Sequence, residues 1–217
     1  MYTENTWKNN QFYNFNYLQY LPKDINENKK YPLVLFLHGA GERGDDLDLV
    51  AMHGFFEHIK HGKDYPFICI APQCPNKKYW GCFMESLKVF LDDMCYTLPV
   101  DENRIYLTGL SMGGTGTFML AMANPDKFAA IAPICGSGIV WYAEALKEIP
   151  VFMWHGDCDE IVPISESVTM LSKINKCGGN AQLKILYGVG HNAWDYAFDG
   201  DELSDWLLSH KKNNSLL

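Results

Sequence analysis

Positive charge is scarce in this 217-residue chain: 18 Lys and Arg stand against 26 Asp and Glu, giving a formal charge of −8 and a pI near 5.3. A surface that grips nucleic-acid phosphates or anionic lipid needs clustered cations, so neither partner is expected. No apolar run is long enough to cross a bilayer, which argues against membrane insertion. The start, Met1-Tyr2-Thr3-Glu4-Asn5, lacks the basic-then-apolar order of a secretory leader. A reducing, cytoplasmic setting is therefore the expectation, with secretion open if a leader precedes this sequence. The seven cysteines are odd in number, scattered, and include no C-x-x-C pair, which speaks against a complete disulfide framework or a zinc knuckle. Cys69, inside Phe67-Ile68-Cys69-Ile70, reads as a small buried apolar side chain. Internal repeats and low-complexity linkers are missing too, and only the residues after Lys211 read as a disordered tail.

What is present is a chain 47% hydrophobic and 20% charged, enough to bury one sizeable core, so residues 1–217 are expected to form a single domain. Short apolar runs alternate with longer amphipathic segments. That alternation predicts an α/β fold with a mostly parallel central sheet and helices on both faces. The strands expected are Leu33 to Leu37, Phe67 to Ala71, Ile105 to Thr108, Ala129 to Ile134, Val151 to Trp154 and Leu183 to Leu186. Before them, Phe12 to Leu21 alternates apolar and polar residues, as suits a strand near an exposed edge. Helices are expected over Glu85 to Leu98, Met112 to Ala123, Trp141 to Lys147, Ser165 to Asn175 and Tyr196 to His210.

Gly109-Leu110-Ser111-Met112-Gly113 has the form G-x-S-x-G and lies between the strand ending at Thr108 and the helix starting at Met112. Alone the pentapeptide reads equally well as a glycine-rich turn. Between strand and helix, it places a serine on a sharp turn with its hydroxyl lifted above the sheet edge, where flanking side chains would collide. The free amides of the following helix then face the place where negative charge develops. A second glycine-rich loop, His38-Gly39-Ala40-Gly41-Glu42-Arg43-Gly44, follows the strand Leu33 to Leu37. Its backbone can approach a substrate closely, and acyl transfer needs two amide donors for its oxyanion. The amides of Met112 and Ala40 are the expected pair, with Gly41 as the alternative second donor; a purely shape-determining loop is the plainer reading. His38 is expected to hold this loop rather than act as a base.

An acid and a histidine should follow later strands in that order. Val151 to Trp154 leads into His155-Gly156-Asp157-Cys158-Asp159-Glu160, and Leu183 to Leu186 leads into Tyr187-Gly188-Val189-Gly190-His191. His191 alone among seven histidines follows the last strand and precedes the last helix, which lets it reach back to Ser111 as general base. Spacing leaves Asp157, Asp159 and Glu160 open as its partner. His155 closes a strand and is expected to pack or to hold the acidic loop, while His53, His58, His61 and His210 read as solvated. No H-x-x-x-H spacing occurs, and a Ser-His-acid mechanism calls for no metal and no cofactor.

These elements resemble the α/β-hydrolase superfamily, specifically its small esterases: dienelactone hydrolases, phospholipase/carboxylesterases, and the carbohydrate-type esterases and putative peptidases. The resemblance spans nearly the whole chain and rests on LFLHGAGERGDD from Leu35, APQCP from Ala71 with Trp80 after it, GLSMGG from Gly109, HGDCDEIVP from His155 and GVGHNAW from Gly188. The HG-x-x-D-x-x-VP pattern of these families puts the acid at its fifth position, which here is Asp159. Dienelactone hydrolases carry a cysteine where this chain has Ser111, so a thiol mechanism is not implied.

What the resemblance implies is hydrolysis of a small or carbohydrate-linked ester, feruloyl or acetyl among the options, through Ser111, His191 and Asp159. A thioesterase, a peptidase or an acyltransferase would use the same triad, and a noncatalytic binding module would be marked by a damaged one. Trp80, Trp141 and Trp194 fall where they could border the nucleophile, and Trp80 and Trp194 are candidate substrate-binding residues; covering the core is the alternative for each. Between Ile134 and Val151 there is room for one short helix, so no large cap domain is expected. Oligomeric state is not legible.

Overall fold

The computed structural model describes residues 1–26 and 28–212; the expected tail after Lys211 lies outside these, apart from Lys212, whose amide donates to the Asn103 carbonyl. Among the described residues eight strands form one sheet: β1 (Tyr2–Trp7), β2 (Phe15–Tyr20), β3 (Tyr31–Leu37), β4 (Ile68–Pro72), β5 (Val100–Leu110), β6 (Ala130–Ile134), β7 (Val151–Gly156) and β8 (Ala181–Leu186). Their spatial order is β1-β2-β4-β3-β5-β6-β7-β8, antiparallel across the first two pairings and parallel from β4 onward.

Every residue of β3 is buried, and alternation sorts its side chains between two cores. Leu33, Leu35 and Leu37 join one apolar cluster, while Val34 and Phe36 join the other. A strand covered on both faces has no solvent side, which is why its sequence reads as a continuous apolar run. The helices supply the covers: α1 (Leu47–Val50), α2 (Gly54–Lys60), α3 (Met84–Thr97), α4 (Met112–Ala123), α5 (Ser165–Lys176), α6 (Trp194–Ala197) and α7 (Glu202–Leu208). In α5 the buried positions Ser167, Met170 and Ile174 fall at helical spacing, leaving Lys173 and Lys176 in the last turn.

Four features depart from expectation. The strand expected near the edge within Phe12 to Leu21 is β2, second from the edge, but β1, polar enough to be passed over, pairs outside it. Trp141 to Lys147 winds as a 3-10 helix, Val140–Leu146, with Trp141 in water. The helix expected over Tyr196 to His210 is two short ones, interrupted where Gly200 turns with φ 77°. Helices α1 and α2 fill the stretch after β3 where no helix was predicted. Between β6 and β7 only the 3-10 helix intervenes, so no large cap covers the carboxyl ends of the strands. There, outside β5, β7 and β8, the loops carrying Ser111, Asp159 and His191 converge.

Candidate active site

Ser111 sits between β5 and α4 with φ 54° and ψ −115°, a conformation that costs a non-glycine residue about 1–3 kcal/mol. The turn is held by its surroundings. A Cβ on Gly113 would lie 1.8 Å from the Leu37 carbonyl oxygen, and one on Gly109 2.5 Å from the same atom. The two glycines thus let α4 start directly against the end of β3. The Ser111 amide donates to Ile134 O at 2.9 Å, tying the turn to β6.

His191 Nε2 lies 2.8 Å from Ser111 Oγ, and His191 Nδ1 lies 2.7 Å from Asp159 Oδ2. Because a carboxylate only accepts, Nδ1 carries the proton and Nε2 is free to accept from the serine hydroxyl. Asp159 is buried, which by itself would push its carboxyl up. The hydrogen bond from His191 and the amides of Val162 and Ile161, each 2.9 Å from Oδ1, outweigh that and hold it below the usual carboxylate range. The two rival carboxylates lie elsewhere: Asp157 is exposed and caps the Gly188 amide, and Glu160 is exposed.

His155 is fully buried behind the acid. Its Nε2 donates to Val162 O at 2.8 Å and lies 3.2 Å from Asp159 Oδ2, while Nδ1 accepts from Ser167 Oγ at 2.7 Å. It therefore ties the acidic loop to α5 and adds a donor beside the carboxylate.

The second glycine-rich loop is braced through His38. The Cys74 amide donates to His38 Nε2 at 2.9 Å, so Nδ1 carries the proton and donates to Gly39 O at 2.6 Å. That bond fixes the plane of the trans peptide whose other end is the Ala40 N–H. Trp80 Nε1 donates to His38 O, and Arg43 Nε donates to Ala40 O at 2.7 Å, orienting the next peptide, whose N–H belongs to Gly41. Met112 is the first residue of α4, so its amide has no acceptor within the helix.

Burial pushes the His38 imidazole down to about 4 from an ordinary 6.5. The sign follows: below pH 6.5 the unfolded chain binds a proton that the folded chain refuses until about pH 4, so stability falls across that window. The total is about 3 kcal/mol at 1.36 kcal/mol per unit. Glu42, pushed up by burial in the same loop, opposes part of the slope. Urea midpoints measured from pH 7 to 4 should therefore fall for the intact protein and fall less steeply for His38→Gln. Equal slopes would mean that His38 titrates normally.

Beside Ser111 opens a cavity of about 330 Å³ lined by Tyr79, Trp80, Met112, Thr115, Met119 and Val162, among others. Trp80 borders it with a ring that is otherwise buried, at 1% exposure, so it is a wall rather than a mobile contact. Trp194 is half-buried and stands edge-on to His191 at 5.3 Å, with His53 packed on it at 5.6 Å. Sequence reasoning placed His53 in solvent and passed over Tyr79, Thr115 and Met119. A signal existed for two of these: Met112, Thr115 and Met119 recur at i, i+3 and i+7, one face of α4. Among the described residues, Cys135, Asp159 and His191 alone form a cluster of metal-ligand type.

Comparison with known proteins finds esterases similar to this chain. A solved thermostable esterase is 31% identical and superposes with a TM-score of 0.86 over 97% of this chain and 63% of its own. The bifunctional acetylxylan esterase/xylanase XynS20E of Neocallimastix patriciarum is 26% identical over 77% of this chain, which spans 25% of that protein. A probable feruloyl esterase C of Aspergillus flavus is 25% identical over 78% of this chain, which spans 64% of that protein. A putative dienelactone hydrolase from Klebsiella pneumoniae, 18% identical with a TM-score of 0.71 over 96% of this chain, shares the α/β-hydrolase fold. The model of the phospholipase/carboxylesterase family matches residues 82–200, more than half of the chain and including the turn at Ser111, the acidic loop and His191, and the protein belongs to that family.

Proposed function

We propose that this protein is a serine carboxylic-ester hydrolase, and the observation that carries the reading is the unbroken chain of hydrogen bonds from Asp159 through His191 to Ser111. Ser111 Oγ attacks the ester carbonyl as His191 Nε2 takes its proton. The resulting oxyanion is stabilised by the amides of Met112 and Ala40, with Asp159 balancing the imidazolium. His191 then protonates the leaving alcohol, and water, activated by the same imidazole, releases the acid from Ser111.

The cavity beside Ser111 supports an aromatic acyl group. Its walls are the rings of Tyr79 and Trp80 and the soft thioethers of Met112 and Met119, surfaces suited to a flat apolar body. With no large cap, the alcohol side of the ester faces open solvent, which suits a small alcohol or one borne on carbohydrate. A hydroxycinnamoyl ester, the class that includes the feruloyl group in the feruloyl esterase relative's name, fits both halves.

The test is hydrolysis of p-nitrophenyl acetate, p-nitrophenyl butyrate and methyl ferulate by the intact protein and by Met119→Trp. We expect turnover of all three by the intact protein. The substitution should lower kcat/KM for methyl ferulate about 10-fold or more, on the scale of a blocked apolar pocket, and leave the acetate nearly unchanged. An intact protein that hydrolyses none of them sinks the esterase reading; an equal loss on acetate and ferulate sinks only the acyl assignment.

A further inference from the structure

Cys135 stands beside the triad and takes no part in the reaction described above. It follows β6 at φ 39°, is fully buried, and its amide donates to Trp154 O at 2.8 Å. Its Sγ, a carboxylate oxygen of Asp159 and a ring nitrogen of His191 all lie within 4.8 Å of one another. A thiolate, a carboxylate and an imidazole are the donor types that zinc takes. Three atoms at such separations share a point ~2.8 Å from each, against zinc–ligand bonds of about 2.0–2.3 Å. Shifts of roughly half an ångström for the sulfur and up to about 0.8 Å for the nitrogen and oxygen would therefore close a site. His191 keeps 20% of its side chain exposed at the mouth, leaving room for a water as fourth ligand. Charge favours the occupant as well: a thiolate and Asp159 neutralise a dication, and the chain at −8 attracts one.

We propose that Cys135, Asp159 and His191 form an inhibitory site for a divalent cation of the zinc class. On binding, the Cys135 S–H proton leaves to solvent as the S–Zn bond forms, and each protein ligand replaces a water of the hydrated cation. His191 contributes one lone pair. If that pair is on Nε2, the acceptor facing Ser111 is consumed. If it is on Nδ1, the displaced proton moves to Nε2, which then presents N–H to Ser111 Oγ and can no longer accept. Either way the general base is lost, and the ion switches ester cleavage off reversibly. The inhibition rests on the triad reading of the previous section; uptake of the ion does not.

The experiment titrates the full chain with zinc chloride while following p-nitrophenyl acetate turnover, then adds EDTA. It is repeated on Cys135→Gly, which suits the positive φ, on Cys135→Ala, and on a Cys82→Ser/Cys158→Ser control that removes the two exposed thiols. Each protein's turnover in EDTA is its own reference. Cobalt(II) is titrated in parallel, because thiolate coordination gives a near-ultraviolet charge-transfer band. Inhibition of the intact protein and of the exposed-thiol control should be reversed by EDTA, and the Cys135 variants should need about 100-fold more zinc, the upper range for disturbing even an outer-shell partner. The cobalt band should appear in the intact protein and vanish from both Cys135 variants. Equal zinc sensitivity in the Cys135 variants overturns the proposal, as does an intact protein without the band. An inactive protein that shows the band would instead refute the esterase reading and leave the metal site standing.

Discussion

Ser111→Ala should lower kcat by about 10⁶-fold on any ester the intact protein turns over, the scale on which removal of a triad nucleophile leaves only binding and the oxyanion donors. KM should change little, because Oγ contributes to the reaction far more than to binding. Ser111→Gly should be equally inactive but more stable than the intact protein. Ser111 is held at φ 54° and ψ −115°, and glycine visits that region without a Cβ penalty, so relief of part of about 1–3 kcal/mol should raise the urea midpoint. Ser111→Gly separates two readings of a dead variant: loss of the fold would lower the midpoint, whereas loss of chemistry with the fold kept lets the relieved turn raise it. Residual activity in Ser111→Ala above about 1% of the intact rate would place the nucleophile elsewhere, since background catalysis by a triad-less site is far smaller.

That such a strained serine could be picked out of the sequence follows from what surrounds it. Gly109 and Gly113 are required by contacts with the Leu37 carbonyl, so the backbone geometry wrote itself into residue choice. The parallel strands were legible for a similar reason: β3, β4 and β6 are buried on both faces and must be continuously apolar. Strand β1 escaped notice because Tyr2–Trp7 is an edge whose Thr3, Glu4 and Thr6 face water, leaving no apolar run. Helices α1 and α2 were missed because each is too short to show a period. Within the site, His191 was legible from chain order, whereas the proximity of Cys135 to Asp159 and His191 joins residues from three separate strand ends and leaves no local pattern. The same holds for His53 against Trp194, a contact between side chains far apart in sequence.

The choice among three carboxylates is where sequence spacing stopped, and it yields the second large prediction. Asp159→Asn should lower kcat about 10⁴-fold while leaving the fold intact. The amide oxygen of the new side chain can still accept from Ile161 and Val162, whose amides lie 2.9 Å from Oδ1, so the loop keeps its brace. Toward His191, however, an amide NH₂ replaces a carboxylate oxygen at 2.7 Å, and a donor now faces Nδ1. The imidazole answers by moving its proton to Nε2, where it points at Ser111 Oγ and cannot take the serine proton. Asp157→Asn and Glu160→Gln change neither of those contacts; each should stay within about 3-fold of the intact rate, as expected for an exposed group outside the reaction. Steady-state kinetics on all three variants, with unfolding midpoints alongside, decide the matter. A loss in Asp159→Asn smaller than about 10-fold would mean that His191 keeps its working tautomer without the carboxylate.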